Sequence, residues 1–157
     1  MKNPPVVETI QIRYQDLDPY GHVNNAVHMS FFETVRMAYL AALAEKLGVG
    51  PLEAGDLPGV RYVIAEATVR YRAPIFIGEG LSGAASVRTV GNRSFVMDYE
   101  LRGGESFEEG RVVAEGTSAQ VFYDIDSGEV RPRPDWFLPT VAALENRPEE
   151  SFAPEGR

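Results

Sequence analysis

Between Ala26 and Ala44 the chain carries only two charged side chains, Glu33 and Arg36. Phe32, Val35, Tyr39, Leu43 and Leu47 recur there at helical spacing, and Phe31, Ala38 and Ala42 widen the apolar surface well beyond a narrow stripe. The spacing predicts one long helix over 26–47, closed by Gly48 after Lys46 and Leu47, with Pro51 reinforcing the stop. A helix with so little polar face cannot stand in water. Something must wrap it, most simply a sheet.

The rest of the sequence supplies the strands. Thr9–Tyr14 alternates, with Ile10, Ile12 and Tyr14 on one side, and reads as a half-buried strand. Four further runs follow the helix: Ala65–Arg72, Leu81–Arg88, Phe95–Arg102 and Val112–Tyr123. Gly91-Asn92 and Gly103-Gly104 punctuate them as hairpin turns. Consecutive hairpins imply an antiparallel sheet, and one helix covers such a sheet only if the sheet curls around it. Asp135–Glu145 is expected to be a short terminal helix, and the polar segment Asn146–Arg157 a flexible tail. The class is therefore α+β, with a single domain over 1–145.

Composition narrows the function. Lys and Arg number 15 against 23 Asp and Glu, a formal net charge of −8. That balance argues against nucleic acid and anionic membranes as partners. There is no cysteine, which removes disulfides, thiolate metal sites and a cysteine nucleophile. The amino terminus has no apolar signal region and no run is long enough to span a bilayer, so the expected location is cytoplasmic. Gly-x-Ser-x-Gly does not occur, which excludes the usual α/β serine hydrolase.

The reactive groups concentrate just ahead of the helix. Asp16, Asp18, His22, Asn24, Asn25 and His28 lie together, including both histidines of the chain. A helix amino end offers free N–H groups and a partial positive charge. A carbonyl oxygen placed there is polarised, and a neighbouring carboxylate can attack its carbon or deprotonate a water. The same residues also suit a capping loop, which is the commoner use of Asp and Asn at such a place. Asn24 or Asn25 could cap the helix directly.

Tyr14-Gln-Asp-Leu-Asp-Pro-Tyr-Gly-His-Val-Asn-Asn25, followed by Phe31-Phe-Glu-Thr-Val-Arg36, resembles the signature of the 4-hydroxybenzoyl-CoA thioesterase family. The string Asp-Leu-Asp…His-Val-Asn-Asn is also similar to plant acyl-carrier-protein thioesterases. The resemblance implies a hot-dog fold, an antiparallel sheet wrapped around one long central helix, which the helix argument reaches independently. It implies an acyl-CoA substrate, no cofactor, no metal, and a homodimer or homotetramer with sites between subunits. Asp18 matches the family's catalytic aspartate, as nucleophile or general base, and the Asn25 N–H matches the group that polarises the thioester carbonyl. His22 is a second catalytic candidate from the plant branch, although that branch has Asn where Tyr20 stands here. Asn24 and His28 are substrate-side candidates; relatives often carry Tyr at position 28.

Outside the loop, Glu33 is a possible alternative base, because some hot-dog enzymes place their carboxylate on this helix. The simpler expectation is a buried ion pair with Arg36, three residues away. Asn92-Arg93-Ser94-Phe95 resembles the family's basic-Ser-Phe segment, which makes Arg93 a candidate contact for CoA phosphates, with Arg70, Arg72 and Arg88 behind it. Met29, Phe31, Phe32 and Tyr39 could line an acyl channel along the helix. Two decoys are set aside. Gly78-Glu-Gly-Leu-Ser-Gly83 matches a dinucleotide pattern but leads into a strand and reads as a turn. Asp16 and Asp18 with a histidine could bind a metal, but nothing closes the ligand set. Thioester hydrolysis is the leading expectation. The alternatives are non-catalytic binding of an acyl group or CoA ester, and hydration or dehydration of an acyl thioester with His22 as base.

Overall fold

The computed structural model describes residues 1–49, 61–124 and 126–154. Among these, six strands and two α-helices follow in the order β1 (Val6–Thr9), α1 (Val27–Leu47), β2 (Tyr62–Tyr71), β3 (Leu81–Val90), β4 (Ser94–Gly103), β5 (Arg111–Asp124), β6 (Glu129–Val130) and α2 (Phe137–Glu145). Every pairing is antiparallel, and the sheet order is β1-β3-β4-β5-β2, with β6 paired to β5. This is the hot-dog arrangement.

Helix α1 lies against the sheet at two glycines. A Cβ on Gly83 of β3 would collide with the Val35 side chain, and one on Gly116 of β5 would enter the Phe32 ring. Both glycines interrupt apolar strands because the helix approaches there. Phe32 then stacks on Tyr99 of β4, with ring centroids 5.0 Å apart. The helix stops as its sequence predicts: Gly48 is left-handed at φ 79°, and its N–H reaches the Ala44 and Glu45 carbonyls. Pro51 lies outside the described residues.

Among the described residues one face of α1 is left unwrapped. Met29, Ser30, Glu33 and Thr34 are exposed, whereas Phe32, Val35, Tyr39 and Leu43 are buried. Among the described residues strand β2 is correspondingly bare. It forms one edge of the sheet, and Val63, Ile64 and Tyr71 are exposed on it.

Two segments differ from expectation. The first strand is Val6–Thr9, not Thr9–Tyr14. Ile10 still donates its N–H to the Leu81 carbonyl at 2.8 Å, but the Asp16 carboxylate then captures the Arg13 N–H at 2.8 Å. That side-chain bond turns the backbone into a 3-10 helix over Tyr14–Asp16 and ends the ladder. At the other end, the segment after Asn146 is docked on the sheet as far as it is described. Glu149–Phe152 form a 3-10 turn, Phe152 is 0% exposed, and Arg147 lies over its ring while donating to the Val87 carbonyl. Polar composition concealed this anchor, since one buried aromatic with a cationic cover suffices to hold a short segment.

Candidate active site

The loop between Asp16 and α1 is built from the backbone bonds of its own polar residues. Asp16 is buried at 2% exposure and pairs with Arg13 at 2.8 Å. The hydrogen bonds from Arg13 hold its carboxyl below the usual carboxylate range. Its backbone carbonyl accepts the Asn24 N–H at 2.8 Å, which pins the far end of the loop. Asp16 is thus fully engaged as a clamp.

Asp18, two residues on, is arranged differently. Its Oδ1 accepts the N–H groups of Tyr20 at 2.9 Å and His22 at 3.2 Å. The Asp18 N–H in turn donates to the His22 carbonyl at 2.7 Å, and Gly21, at φ 82°, allows the chain to close the turn. Among the described residues Oδ2 has no hydrogen-bond donor. One oxygen is fixed by the backbone and the other is available.

Asn24 holds the turn just ahead of α1. Its side-chain oxygen accepts the Ala26 N–H at 3.0 Å and its carbonyl accepts the Val27 N–H at 2.9 Å. The cap position of α1 is Ala26, which makes no side-chain cap bond, so neither Asn24 nor Asn25 caps the helix as the sequence suggested; the Asn24 side chain is used in the turn before it. The Asn25 N–H has no acceptor among the described residues, and the Asn25 carbonyl receives the Tyr71 hydroxyl at 3.0 Å.

A cleft of about 300 Å³ joins these groups, lined by Asp18, His22, Asn25, His28, Tyr71 and Arg72 among others. His28 is 3% exposed. Its Nδ1 lies 3.2 Å from the Asn24 carbonyl, and since a carbonyl only accepts, Nδ1 carries the proton of the neutral ring. Burial pushes the His28 pKa down, so the ring is neutral at neutral pH with Nε2 left as an acceptor. The Tyr71 ring meets His28 edge-on at 4.9 Å. The His22 ring packs edge-on against Phe76 at 5.0 Å.

The remaining predicted residues lie elsewhere. Glu33 lines a second cleft, next to Arg36, and its side chain is 66% exposed. The expected buried ion pair is thus only half buried: the guanidinium is inside, and the carboxylate stands in solvent 3.5 Å away. Arg93 is at the β3–β4 turn, where its carbonyl accepts the Phe122 N–H, beside the Tyr62 end of β2. The Asp18 cleft is at the Tyr71 end, about 30 Å away along that strand at the usual rise per residue. Of the arginines placed behind Arg93, Arg72 lines the Asp18 cleft and pairs with Glu115 at 2.6 Å. Arg70 and Arg88 line another cavity on a charged face of the sheet, which Arg72 also borders. Of the possible channel residues, Phe32 and Met29 line the second cleft, whereas Phe31 and Tyr39 belong to the core. Gly78 is a left-handed turn residue ahead of β3, in keeping with the reading of the decoy pattern as a turn. Among the described residues no three His, Asp or Glu groups are placed to hold a metal. Tyr71 and Phe76 were missed from sequence; the only signal for Tyr71 was its place at the end of an alternating apolar run.

Residues 12–141 match the family model described as the thioesterase-like superfamily. The chain belongs to the thioesterase-like superfamily. No curated protein matches it. Among solved structures, a thioesterase from Thermus thermophilus complexed with coenzyme A and Zn is 28% identical, with a TM-score of 0.76, covering 94% of this chain and 99% of that one. A predicted thioesterase from Bacillus stearothermophilus is 21% identical at TM-score 0.69, with 96% and 98% covered. The gentisyl-coenzyme A thioesterase BH1999 is 21% identical at TM-score 0.67, with 83% and 97% covered. For these last two the likeness is one of fold. No described helix of this superfamily member is long and apolar enough to cross a membrane.

Proposed function

We propose that this superfamily member is an acyl-CoA thioesterase of the 4-hydroxybenzoyl-CoA type, with Asp18 as its catalytic carboxylate. The observation that carries this is the division of labour on Asp18: Oδ1 is held by two backbone N–H groups, while Oδ2 is unengaged in a cleft shared with Asn25 and His28. A thioester carbonyl seated there accepts the Asn25 N–H, at the positive end of α1. Oδ2 attacks the carbonyl carbon or takes a proton from an attacking water, and CoA thiolate leaves. Neutral His28 offers Nε2 as an acceptor that orients water or substrate. Asn24 acts indirectly, by holding the turn that leads into α1, and His22 shapes the Asp18 turn through its backbone.

Arg93 enters this scheme through a second copy of the chain. The bare β2 edge can pair antiparallel with the same edge of a partner. Such pairing lays the Tyr62 end of one chain against the Tyr71 end of the other, and so brings a partner arginine toward each Asp18 cleft. A cytoplasmic homodimer, or a tetramer built from it, would then bind the anionic CoA phosphates with Arg72 and the second chain's basic turn.

The test is release of free CoA from a panel of acyl-CoAs by wild type and Asp18→Asn. Asparagine keeps an acceptor for the two N–H groups, so the loop survives. The rate is expected to fall by about a hundred- to ten-thousandfold. Equal rates in both proteins would remove Asp18 from the mechanism. A wild type that binds CoA esters tightly but turns none over would instead be a binding protein.

A further inference from the structure

The second cleft lies one step along the same seam between α1 and β2. The first is lined by Asn25 and His28 of α1 and Tyr71 of β2; the second by Met29, Ser30, Glu33 and Arg36 of α1 and Ala67 and Ile64 of β2. Its volume is about 200 Å³. At its inner end stands Arg36, only 6% exposed. The guanidinium is poorly satisfied. Its contacts to the Tyr99 hydroxyl at 3.4 Å and to Glu33 at 3.5 Å are at the outer limit of hydrogen bonding, and Nε has no partner among the described residues. Tyr62 adds a second phenol, which carries no charge to balance the cation. Among the described residues the one carboxylate near this buried cation stands in solvent 3.5 Å away, so the guanidinium is incompletely compensated and has room for a further anion. The Tyr99 hydroxyl, held at 2.6 Å by Ser118 Oγ, is a further polar group at the same wall.

We propose that this cleft receives the far end of the acyl group and that Arg36 anchors a carboxylate there, so that the substrates are ω-carboxyacyl-CoA esters. The inference rests on the thioesterase reading of the Asp18 cleft. A planar carboxylate matches the fork of a guanidinium through paired hydrogen bonds, which a hydroxyl or a methyl terminus cannot do. Glu33, exposed and loosely held, swings away as the ligand carboxylate arrives. The dimensions agree. A helical side chain leans toward the turn before it, so the Arg36 head lies near the level of Glu33, about 12 Å along the axis from Asn25. At roughly 1.2 Å of advance per bond of an extended chain, a medium-length dicarboxylic acyl group spans that gap. The cleft volume holds about six or seven water-sized groups, enough for a carboxylate and several methylenes.

The test compares suberyl-CoA with octanoyl-CoA, equal in carbon number and different only at the far end. Wild type is expected to show a kcat/KM for suberyl-CoA about ten- to a hundredfold above that for octanoyl-CoA, the factor charge-assisted hydrogen bonds correspond to. In Arg36→Met, which replaces a buried ion with an apolar chain and so keeps the fold, that ratio collapses toward or below one. A wild-type ratio at or below one, or a ratio unchanged in Arg36→Met, overturns the anchor while leaving thioester hydrolysis standing. Should wild type hydrolyse neither ester, calorimetric titration of the intact protein with the same two compounds decides. Tighter binding of suberyl-CoA that is lost in Arg36→Met upholds the anchor and removes only the hydrolytic reading; equal binding overturns the anchor.

Discussion

The Tyr71 hydroxyl donates to the Asn25 carbonyl across 3.0 Å, tying the last residue of β2 to the turn that begins α1. The peptide it grips is next to the N–H assigned to the thioester carbonyl, and the same ring braces His28 from the side. Strand and helix therefore share responsibility for the geometry of the cleft. Tyr71→Phe keeps the ring and loses the tether. A half-exposed hydrogen bond contributes about 0.5–1.5 kcal/mol, so the melting temperature should fall by no more than a few degrees. If the tether positions the reacting groups, kcat/KM should nevertheless fall by about five- to tenfold. Destabilisation with kcat/KM unchanged would reduce Tyr71 to a structural contact, so kinetics and thermal unfolding are measured on the same samples.

His28 gives a pH signature. Burial holds its pKa below the ordinary value, so between the two values the unfolded chain binds a proton that the folded chain refuses. Stability then rises with pH through this window and is lost as the solution becomes more acidic. The expected result is a melting temperature that declines below about pH 6.5 in wild type and declines less in His28→Phe. Activity that uses Nε2 as an acceptor should likewise persist below the usual histidine midpoint before it fails. NMR titration of the ring gives the midpoint directly; a value at or above that of an exposed histidine would contradict the placement.

Sequence reached the parts of this molecule that local pattern controls. Helix α1 and the hairpins β3–β4 and β4–β5 follow from periodicity and from glycine at the turns. The hot-dog class follows from an apolar helix that needs a cover. Density alone pointed to the loop before the helix, but not to the unequal fates of its carboxylates. Asp16 and Asp18 are two residues apart; one is consumed by Arg13 and the other is left with an open oxygen. That difference depends on which way the chain turns after Ile10, and the turn is made by the Asp16 side chain itself. The gap between Arg93 and Asp18 was equally hidden, because it is set by the pairing of β2 with β5, a contact distant in sequence. The uneven burial of the Arg36–Glu33 pair belongs here too: i,i+3 spacing predicts the pair but not which partner faces water.

Phe152 tests how far the folded unit extends. The ring is fully buried against β3 beneath the Arg147 guanidinium. Phe152→Ala should destabilise the protein by about 3–5 kcal/mol in urea unfolding, as for other buried aromatics. A change under about 0.5 kcal/mol, typical of surface substitutions, would return the segment after Asn146 to the status of a dispensable tail.

Glu145 closes helix α2 onto the sheet, and its surroundings make opposite demands on its charge. Its Oε1 accepts the Val87 N–H at 2.6 Å and the Tyr39 hydroxyl at 2.9 Å. Burial raises its pKa more strongly than these bonds and Arg147 lower it. The folded chain consequently holds the Glu145 proton to higher pH than the unfolded chain does. By linkage, this group's contribution favours the fold below the ordinary glutamate pKa and is lost as pH rises through the higher folded value. Glu145→Gln keeps an oxygen acceptor for both donors and removes the ionisation. It should match or exceed wild-type stability at neutral pH and flatten the loss between mildly acidic and neutral conditions. Glu145→Ala leaves the Val87 N–H, on a fully buried residue, and the Tyr39 hydroxyl without an acceptor, at a cost of about 1–3 kcal/mol at any pH. Chemical unfolding of the three proteins from pH 4 to 8 separates the two roles. If Gln and Ala destabilise equally at pH 7, the ionised carboxylate itself holds the helix in place, and burial is not what governs this group.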